Sequence, residues 1–284
     1  MCVKYGFVIL NYMTKTETEK CVESIDRYVE EQHHIIIVDN ASPDGSGEEL
    51  SAAYENRSDV TVIINEHNLG FACGNNVGIR KATAEQCDYV IVLNSDTMLM
   101  QKEFCTIINA KYEEFHYAVI GPKIYKHGVE SRDNPGRDKP MSRSKLLAFI
   151  AMNRILLMLS HVGLDEVLNN MFNAYVENKK ADTIQNTEVE KVALHGCCLI
   201  FTPAFFKKFD GFDGRTYMYM EEDVLYHHLL KAGLISAYVP GLHIEHLEET
   251  ATNKVYTGVI KRRFKYKNYI RSSKVMLAID RERT

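Results

Sequence analysis

The sequence predicts an α/β fold: a mostly parallel central sheet flanked by helices, with a helical insertion and a C-terminal helix. Two observations point there. Strand-like and helix-like patterns alternate through residues 1–125. Strand-like runs also end on polar residues, Asn11, Asp39 and Asp96, and in an open α/β sheet ligands sit beyond the carboxyl ends of the strands. Right-handed crossovers put those ends on one edge, so polar ends from separate strands favour one crevice over independent helix caps.

Tyr5 to Leu10 is a β-rich apolar run followed by Asn11-Tyr12-Met13-Thr14, and Cys21, Val22, Ile25 and Val29 then share one helical stripe. His34 to Val38 is a second buried strand ending on Asp39-Asn40, and Ala41 to Gly47 is rich in turn formers. Glu48 to Asn56 reads as a short helix and Val60 to Ile64 as a third strand. Asn68 to Gly78 is a Gly/Asn loop leading into a helix that reaches Ala84. Its glycines, Gly70, Gly74 and Gly78, do not form a dinucleotide fingerprint, and no P-loop signature occurs. Glycine where backbone must approach a ligand, with Asn amides that donate and accept, suits a nucleotide or sugar. A surface turn and helix start fits the same residues. Tyr89 to Leu93 is a short buried strand that stops on Asn94-Ser95-Asp96-Thr97, a polar end able to hold a cation or a sugar. Asp96 can equally cap the next helix. A helix from Glu103 to Phe115 and a strand at Ala118 to Ile120 close this half.

Lys126 to Lys139, with Pro135-Gly136, reads as a loop. Ser142 to Leu164 is apolar over much of a helix surface, with Lys145 and Arg154 as the charges in its middle. Asn153-Arg154 and Ser160-His161 break it too often for a spanning helix. It fits a helix folded on the core, an acceptor lid, or a monotopic helix touching a membrane. Asn170 to Glu190 is too polar to assign. Val192 to Phe201 returns to strand, broken by Gly196, and Pro203 opens a short helix. An aromatic run from Tyr217 then meets Glu221-Glu222-Asp223 at the start of a helix. Acidic residues there are electrostatically ordinary, yet consecutive carboxylates repel one another unless something positive or reactive lies nearby. Ile235 to Val239 is a strand, and His243 and His246 in the following stretch read first as surface-loop histidines. Lys261 to Lys274 carries basic residues and no acidic one, with Phe264, Tyr266 and Tyr269 interleaved. Lipid or diphosphate contact, a solvated helix face and single-stranded nucleic acid stand open for it, in that order.

The 284 residues are 45% hydrophobic and 25% charged, an ordinary globular composition. A net charge of −4 gives no electrostatic case for a nucleic-acid partner. The seven cysteines include no CxxC pair, which fits reduced thiols in a cytosol. Met1 to Gly6 lacks the pattern of a signal peptide, so none is expected.

Val8-Ile9-Leu10-Asn11-Tyr12, Ile37 to Ser46, Asn68-Leu69-Gly70-Phe71-Ala72 with Asn75-Asn76, and Leu93-Asn94-Ser95-Asp96-Thr97 are specific in combination. Together they resemble the family 2 glycosyltransferases with a GT-A (Rossmann-like) fold, in particular the bacterial rhamnosyltransferase-like branch. The likeness resumes at His195-Gly196-Cys197-Cys198 and runs to about Thr252, leaving out Lys126 to Lys191 and the tail. It implies that Asp39 hydrogen-bonds the nucleotide base, and that Asn11, Asn68, Gly70, Asn75 and Asn94 line or shape the nucleotide-sugar pocket. Asn94-Ser95-Asp96 stands at the family's Asp-x-Asp motif, so Asp96 would bind Mn2+ or Mg2+ bridging the diphosphate. Asn94 removes one negative charge from that motif, and Met13 replaces a polar residue common after the first strand. Phe209 to Asp213 is similar to the family's Gly-Gly-Phe-Asp element, with Asp210 at the first Gly. The family's Glu-Asp motif falls on the acidic run, with Asp223 as general base and Glu222 orienting the acceptor or the base. His246 would complete the cation site.

The resemblance thus implies an inverting, metal-dependent transfer from a dTDP- or UDP-sugar to a glycan or lipid-linked acceptor, in cell-surface polysaccharide synthesis. A non-catalytic sugar- or lipid-binding protein on the same scaffold, or a sugar nucleotidyltransferase, are the alternatives. The expected division is a nucleotide-sugar-binding half (1–125), a helical insertion facing acceptor or membrane (126–191), an acceptor and catalytic half (192–252) and a basic C-terminal helix (253–284). The expected location is cytoplasmic, with peripheral contact to the inner face of the cytoplasmic membrane left open; nucleic acid is not an expected partner.

Overall fold

The computed structural model describes residues 3–168, 185–248 and 257–282. The first half alternates strand and helix: β1 (Tyr5–Asn11), α1 (Lys15–Tyr28), β2 (His33–Asp39), α2 (Ser46–Tyr54), β3 (Val60–Ile64), α3 (Gly70–Ala84) and β4 (Tyr89–Asn94). Next come β5 (Thr97–Leu99), α4 (Phe104–Phe115), β6 (Val119–Lys126), β7 (Val129–Glu130) and α5 (Arg143–Leu159). The rest comprises β8 (Val189–Glu190), β9 (Cys198–Phe201), α6 (Pro203–Phe206), α7 (Glu221–Lys231), β10 (Ser236–His246) and α8 (Gly258–Ile279).

All the strands join one sheet, in the order β3-β2-β1-β4-β9-β6-β10-β5, with β7 on β6 and β8 on β10. β3, β2, β1 and β4 are parallel neighbours, as are β6 and β10. β9 lies antiparallel between β4 and β6, and β5 antiparallel on β10. The two halves of the chain therefore share one sheet. The parallel strands bury both faces: Phe7, Ile9, Ile35, Ile37, Ile91 and Leu93 pack on one side, and Val8, Ile36, Val38, Val90 and Val92 on the other. That is the period-two pattern of strands covered by helices on each side. A third cluster, with Leu146, Val224, Met276 and Ile279, joins α5, α7 and α8.

Three expected elements differ. The strand expected at Ala118 to Ile120 runs on through Gly121-Pro122 to Lys126. The strand expected over Val192–Phe201 is only Cys198–Phe201; Gly196 and its neighbours form the chain's approach to the cavity. The loop expected at Pro240–His246 is the second part of β10, which shifts register between Val239 and His243 and continues to His246. Proline and glycine there mark a bulge, not a strand end. The polar stretch left unassigned from Asn170 to Glu190 falls mostly outside the described residues, which resume with β8 at its end.

Candidate active site

The carboxyl ends of β1, β2 and β4 open onto a cavity of about 380 Å3, closed on the far side by the segment before α7 and by α8. Its wall includes Tyr12, Asn40, Asn68, Gly70, Asn94, Asp96, His195, Tyr217, Glu222, His246 and Phe264. Among the expected residues, Asn68, Gly70, Asn94, Asp96, Glu222 and His246 therefore share one cavity.

Asn11, Asp39 and Asn75 lie behind the wall and are buried. Asn11 ties β1 to β2: its amide donates to Asp39 Oδ1 (2.6 Å) and its Oδ1 accepts from Thr14 and Thr18. Asp39 also accepts from the backbone N–H and hydroxyl of Ser42 (2.9 and 2.6 Å). Its carboxylate faces the protein and holds the loop after β2. Asn75 donates to the Phe71 carbonyl.

On the donor side the wall is fixed by Asn68, whose Oδ1 accepts from the Gly70 N–H, the Asn40 amide and the Tyr217 hydroxyl. Gly70 has φ +77°, and an added Cβ would lie 2.3 Å from the Tyr217 carbonyl oxygen. No other residue type fits this turn without strain. The Phe71 N–H donates to that same carbonyl (2.7 Å), joining the start of α3 to the aromatic segment before α7.

At the sheet end, Asp96 Oδ1 lies 3.2 Å from His246 Nε2. The approach is not a well-formed hydrogen bond: both His246 ring nitrogens and Asp96 Oδ2 are buried without a hydrogen-bond partner among the described residues. Donor atoms of His195, Cys197 and His246 lie within 4.8 Å of one another. His195 Nδ1, however, already accepts the Cys197 N–H (3.2 Å), which leaves the ring proton on Nε2. Burial, and then His246, push His195 down to about 4, and burial holds the Cys197 thiol protonated. Asp96 and His246 are thus the pair with spare ligand atoms: a carboxylate oxygen that suits Mn2+ or Mg2+, and an imidazole nitrogen beside it as a second ligand.

The acidic run sits opposite. Tyr219 and Met220, at φ 68° and 69°, turn the chain sharply into α7. Glu221 and Glu222 then face the cavity, and a Cβ on Gly196 would lie 3.9 Å from Glu222 Oε2. Asp223 is off the cavity wall and pairs with Arg137 (Oδ1 to Nε 3.2 Å). Burial raises both Glu222 and Asp223 above the ordinary carboxylate range; the Asp223 charge raises Glu222 further, and Arg137 opposes both. Glu221, with Oε1 buried and unpartnered among the described residues, is pushed up to about 8 by burial and then by Glu222.

Residues 7–168 match the family model described as glycosyl transferase family 2. Over 257 residues the chain is 25% identical to N-acetylglucosaminyl-diphospho-decaprenol L-rhamnosyltransferase of Mycobacterium tuberculosis, covering 87% of this chain and 77% of that one. Over 114 residues it is 31% identical to Glycosyltransferase GlyG of Streptococcus pneumoniae, covering 40% and 37%. Among solved structures, S. aureus TarS 1–349 aligns with TM-score 0.52 at 16% identity, over 86% of this chain and 60% of that one. Its complex with UDP-GlcNAc aligns with TM-score 0.53 at 16% identity, over 90% and 62%. The chain thus spans about 60% of the TarS 1–349 chain, and at this identity the likeness is one of fold. The family match runs from β1 through α5, takes in the Asp96 end of the cavity and covers more than half of the sequence: the chain belongs to glycosyl transferase family 2.

Proposed function

We propose that this glycosyltransferase moves a sugar, rhamnose or a similar one, from a dTDP- or UDP-sugar to a glycan or lipid-linked acceptor, inverting the anomeric centre, in cell-surface polysaccharide synthesis. The observation that carries this reading is that Glu222 and the Asp96–His246 pair line one cavity at the rim of the sheet. The mycobacterial relative acts, by its name, on a diphosphate-linked lipid, which supports the acceptor class.

In this reading the base and ribose lie against Tyr12, Asn40 and Asn68, and Asp39 keeps that wall in place through Asn11 and Ser42. The diphosphate lies towards Asp96 and His246. A bound Mn2+ or Mg2+ would neutralise charge gathering on the departing diphosphate. The family resemblance implies Asp223 as base; we assign the role to Glu222, which lines the cavity beside Glu221, with Asp223 and Arg137 setting its proton affinity. The acceptor oxygen forms its bond to the anomeric carbon as the carbon–diphosphate oxygen bond breaks. The hydroxyl proton passes to Glu222, a contribution of ~10²–10⁴-fold in rate. Attack from the face opposite the leaving group inverts the centre and needs no enzyme nucleophile.

Residues 126–191 serve as the acceptor-side or membrane-facing insertion. No helix among the described residues is long and apolar enough to cross a membrane. Leu147, Ile155 and Met158 of α5 are exposed, and we assign peripheral bilayer contact to that face. Unchanged vesicle cosedimentation on Ile155→Glu would contradict it. The function itself is tested by a thermal-shift screen with UDP-, dTDP- and GDP-sugars, with and without Mn2+, followed by assay of nucleoside diphosphate release. A stabilising donor and acceptor-dependent release are expected. Pyrophosphate release would point to a nucleotidyltransferase, and binding without turnover to a non-catalytic protein.

A further inference from the structure

We propose that a basic groove on α8, outside the donor cavity, binds the diphosphate of a lipid-linked acceptor. The inference rests on the acceptor class proposed above. The groove has a volume of about 380 Å3 and presents Lys267, Arg271 and Lys274 beside Arg215, over an apolar floor that includes Ile270 and Val275.

Five of the seven basic residues of α8 fall into two sets. Arg262 is bound to Asp165 (2.7 Å), and Arg263 donates to the Ser160 carbonyl (2.6 Å), so these two fasten α8 to the chain beyond α5. Lys267, Arg271 and Lys274 instead follow the i, i+4, i+7 spacing of one helix face and form no ion pair among the described residues. The acidic groups nearby are already taken: Arg215 holds Asp213 (2.6 Å) and Glu282 (2.5 Å). Arg215 is thereby spent, while its carbonyl accepts from Arg271 Nε (2.8 Å) and orients that guanidinium. A face that merely solvates a helix mixes both signs. This one carries cations alone over apolar side chains, a surface complementary to a phosphate ester.

One side-chain contact links the groove to the catalytic cavity. The Arg271 guanidinium lies 5.9 Å from the centroid of the Tyr217 ring. Tyr217 is cavity wall and donates to Asn68 (3.0 Å), and Phe264, one turn before Lys267, packs edge-on against the same ring (6.2 Å) and also lines the cavity. An acceptor sugar that enters past Phe264 and Tyr217 with its hydroxyl towards Glu222 carries its anomeric substituent outward, onto Lys267 and Arg271.

The test compares two acceptors bearing the same sugar, a detergent-solubilised prenyl-diphosphate-linked form and an uncharged alkyl glycoside, with the full chain and its K267A/K274A variant. The expected result is a rise of about tenfold or more in KM for the diphosphate-linked acceptor, with the donor KM and the alkyl glycoside KM unchanged. A short-chain prenyl diphosphate should compete with acceptor in the wild type and about tenfold less well in the variant. Equal losses on both acceptors, or none, would overturn the proposal. So would a loss seen only when the acceptor is embedded in anionic vesicles, since that marks the groove as a bilayer contact. If wild-type protein hydrolyses a donor but transfers only to non-lipid glycans, the acceptor class has failed and the proposal with it. If it uses the lipid acceptor but the variant matches it, the groove assignment alone has failed.

Discussion

Asp96 Oδ1 and His246 Nε2 face each other at 3.2 Å, both side chains almost wholly buried, although they come from opposite halves of the chain. β4 delivers one and β10 the other, and the antiparallel pairing of β5 with β10 sets Thr97 directly beside His246. A buried carboxylate and imidazole with unpartnered ligand atoms form a poor structural contact and a good cation site. Asp96→Asn and His246→Ala should each weaken Mn2+ binding about tenfold or more by titration calorimetry, without loss of thermal stability. Unaltered affinity in both variants would remove this pair from the cation site.

The ion pair of Arg137 with Asp223 should set the pH response. Glu222 works only when ionised, and burial followed by the Asp223 charge raises its affinity for a proton. Turnover should therefore fall as pH drops through a value well above the ordinary carboxylate pKa of ~4.3. Glu221 and Asp223 face this group along α7, and Tyr269 approaches from α8. Arg137 is the cation that counters them, so Arg137→Ala should move the acid limb of the kcat–pH profile upward, and Arg137→Lys should largely restore it. An acid limb at the ordinary carboxylate value in all three proteins would contradict the assignment.

Glu221 should mark the stability curve. Its pKa is raised to about 8 by burial and by its neighbours, so the folded chain binds this proton more tightly than the unfolded one. Its contribution is fully present below the unfolded pKa of ~4.3 and is lost as pH rises through the folded value. Glu221→Gln should flatten the fall in Tm between about pH 5 and 8. Glu222 titrates in the same sense, so part of the slope should remain. Identical Tm–pH slopes in the variant and the wild type would count against a buried, neutral Glu221.

Gly70→Ala should be costly despite its small size. The backbone there has φ +77°, and the new methyl would meet the Tyr217 carbonyl oxygen at 2.3 Å. A loss of ~1–3 kcal/mol by denaturant titration is expected, with a higher donor KM as Tyr217 is pushed from Asn68. A neutral variant would mean that this close approach is not kept in solution.

Much of this was legible in the sequence, for identifiable reasons. Buried parallel strands give continuous apolar runs, so β1, β2 and β4 and the polar residues at their ends could be read directly. Asn68 and Gly70 stood out because glycine and asparagine mark backbone that approaches something closely. The antiparallel seat of β9 was not legible, since strand direction leaves no mark on residue pattern. Pro240-Gly241 read as the end of a strand, whereas a bulge lets β10 pass through them to His246. Among Glu221, Glu222 and Asp223, successive residues turn by ~100° on a helix, and only the packed azimuth of α7 decides which of them meet the cavity. Asn11 and Asp39 stand at polar strand ends, but their hydrogen bonds to each other and to Ser42 across β1 and β2 leave no mark on residue pattern. Tyr217 and Phe264 stand out as aromatics, but only the packing of α8 against the segment before α7 brings both to the cavity, and nothing local marks Glu248, which also lines it.

The assignment of chemistry to one side chain is tested most directly by kcat for acceptor-dependent nucleoside diphosphate release in Glu222→Gln and Asp223→Asn, measured at saturating donor and Mn2+. Glu222→Gln should lose ~10²–10⁴-fold, while Asp223→Asn, off the cavity wall, should keep most of its turnover and show a shifted pH profile. The reverse ranking, with Glu222→Gln near wild type and Asp223→Asn inactive, would show that the base lies outside the cavity.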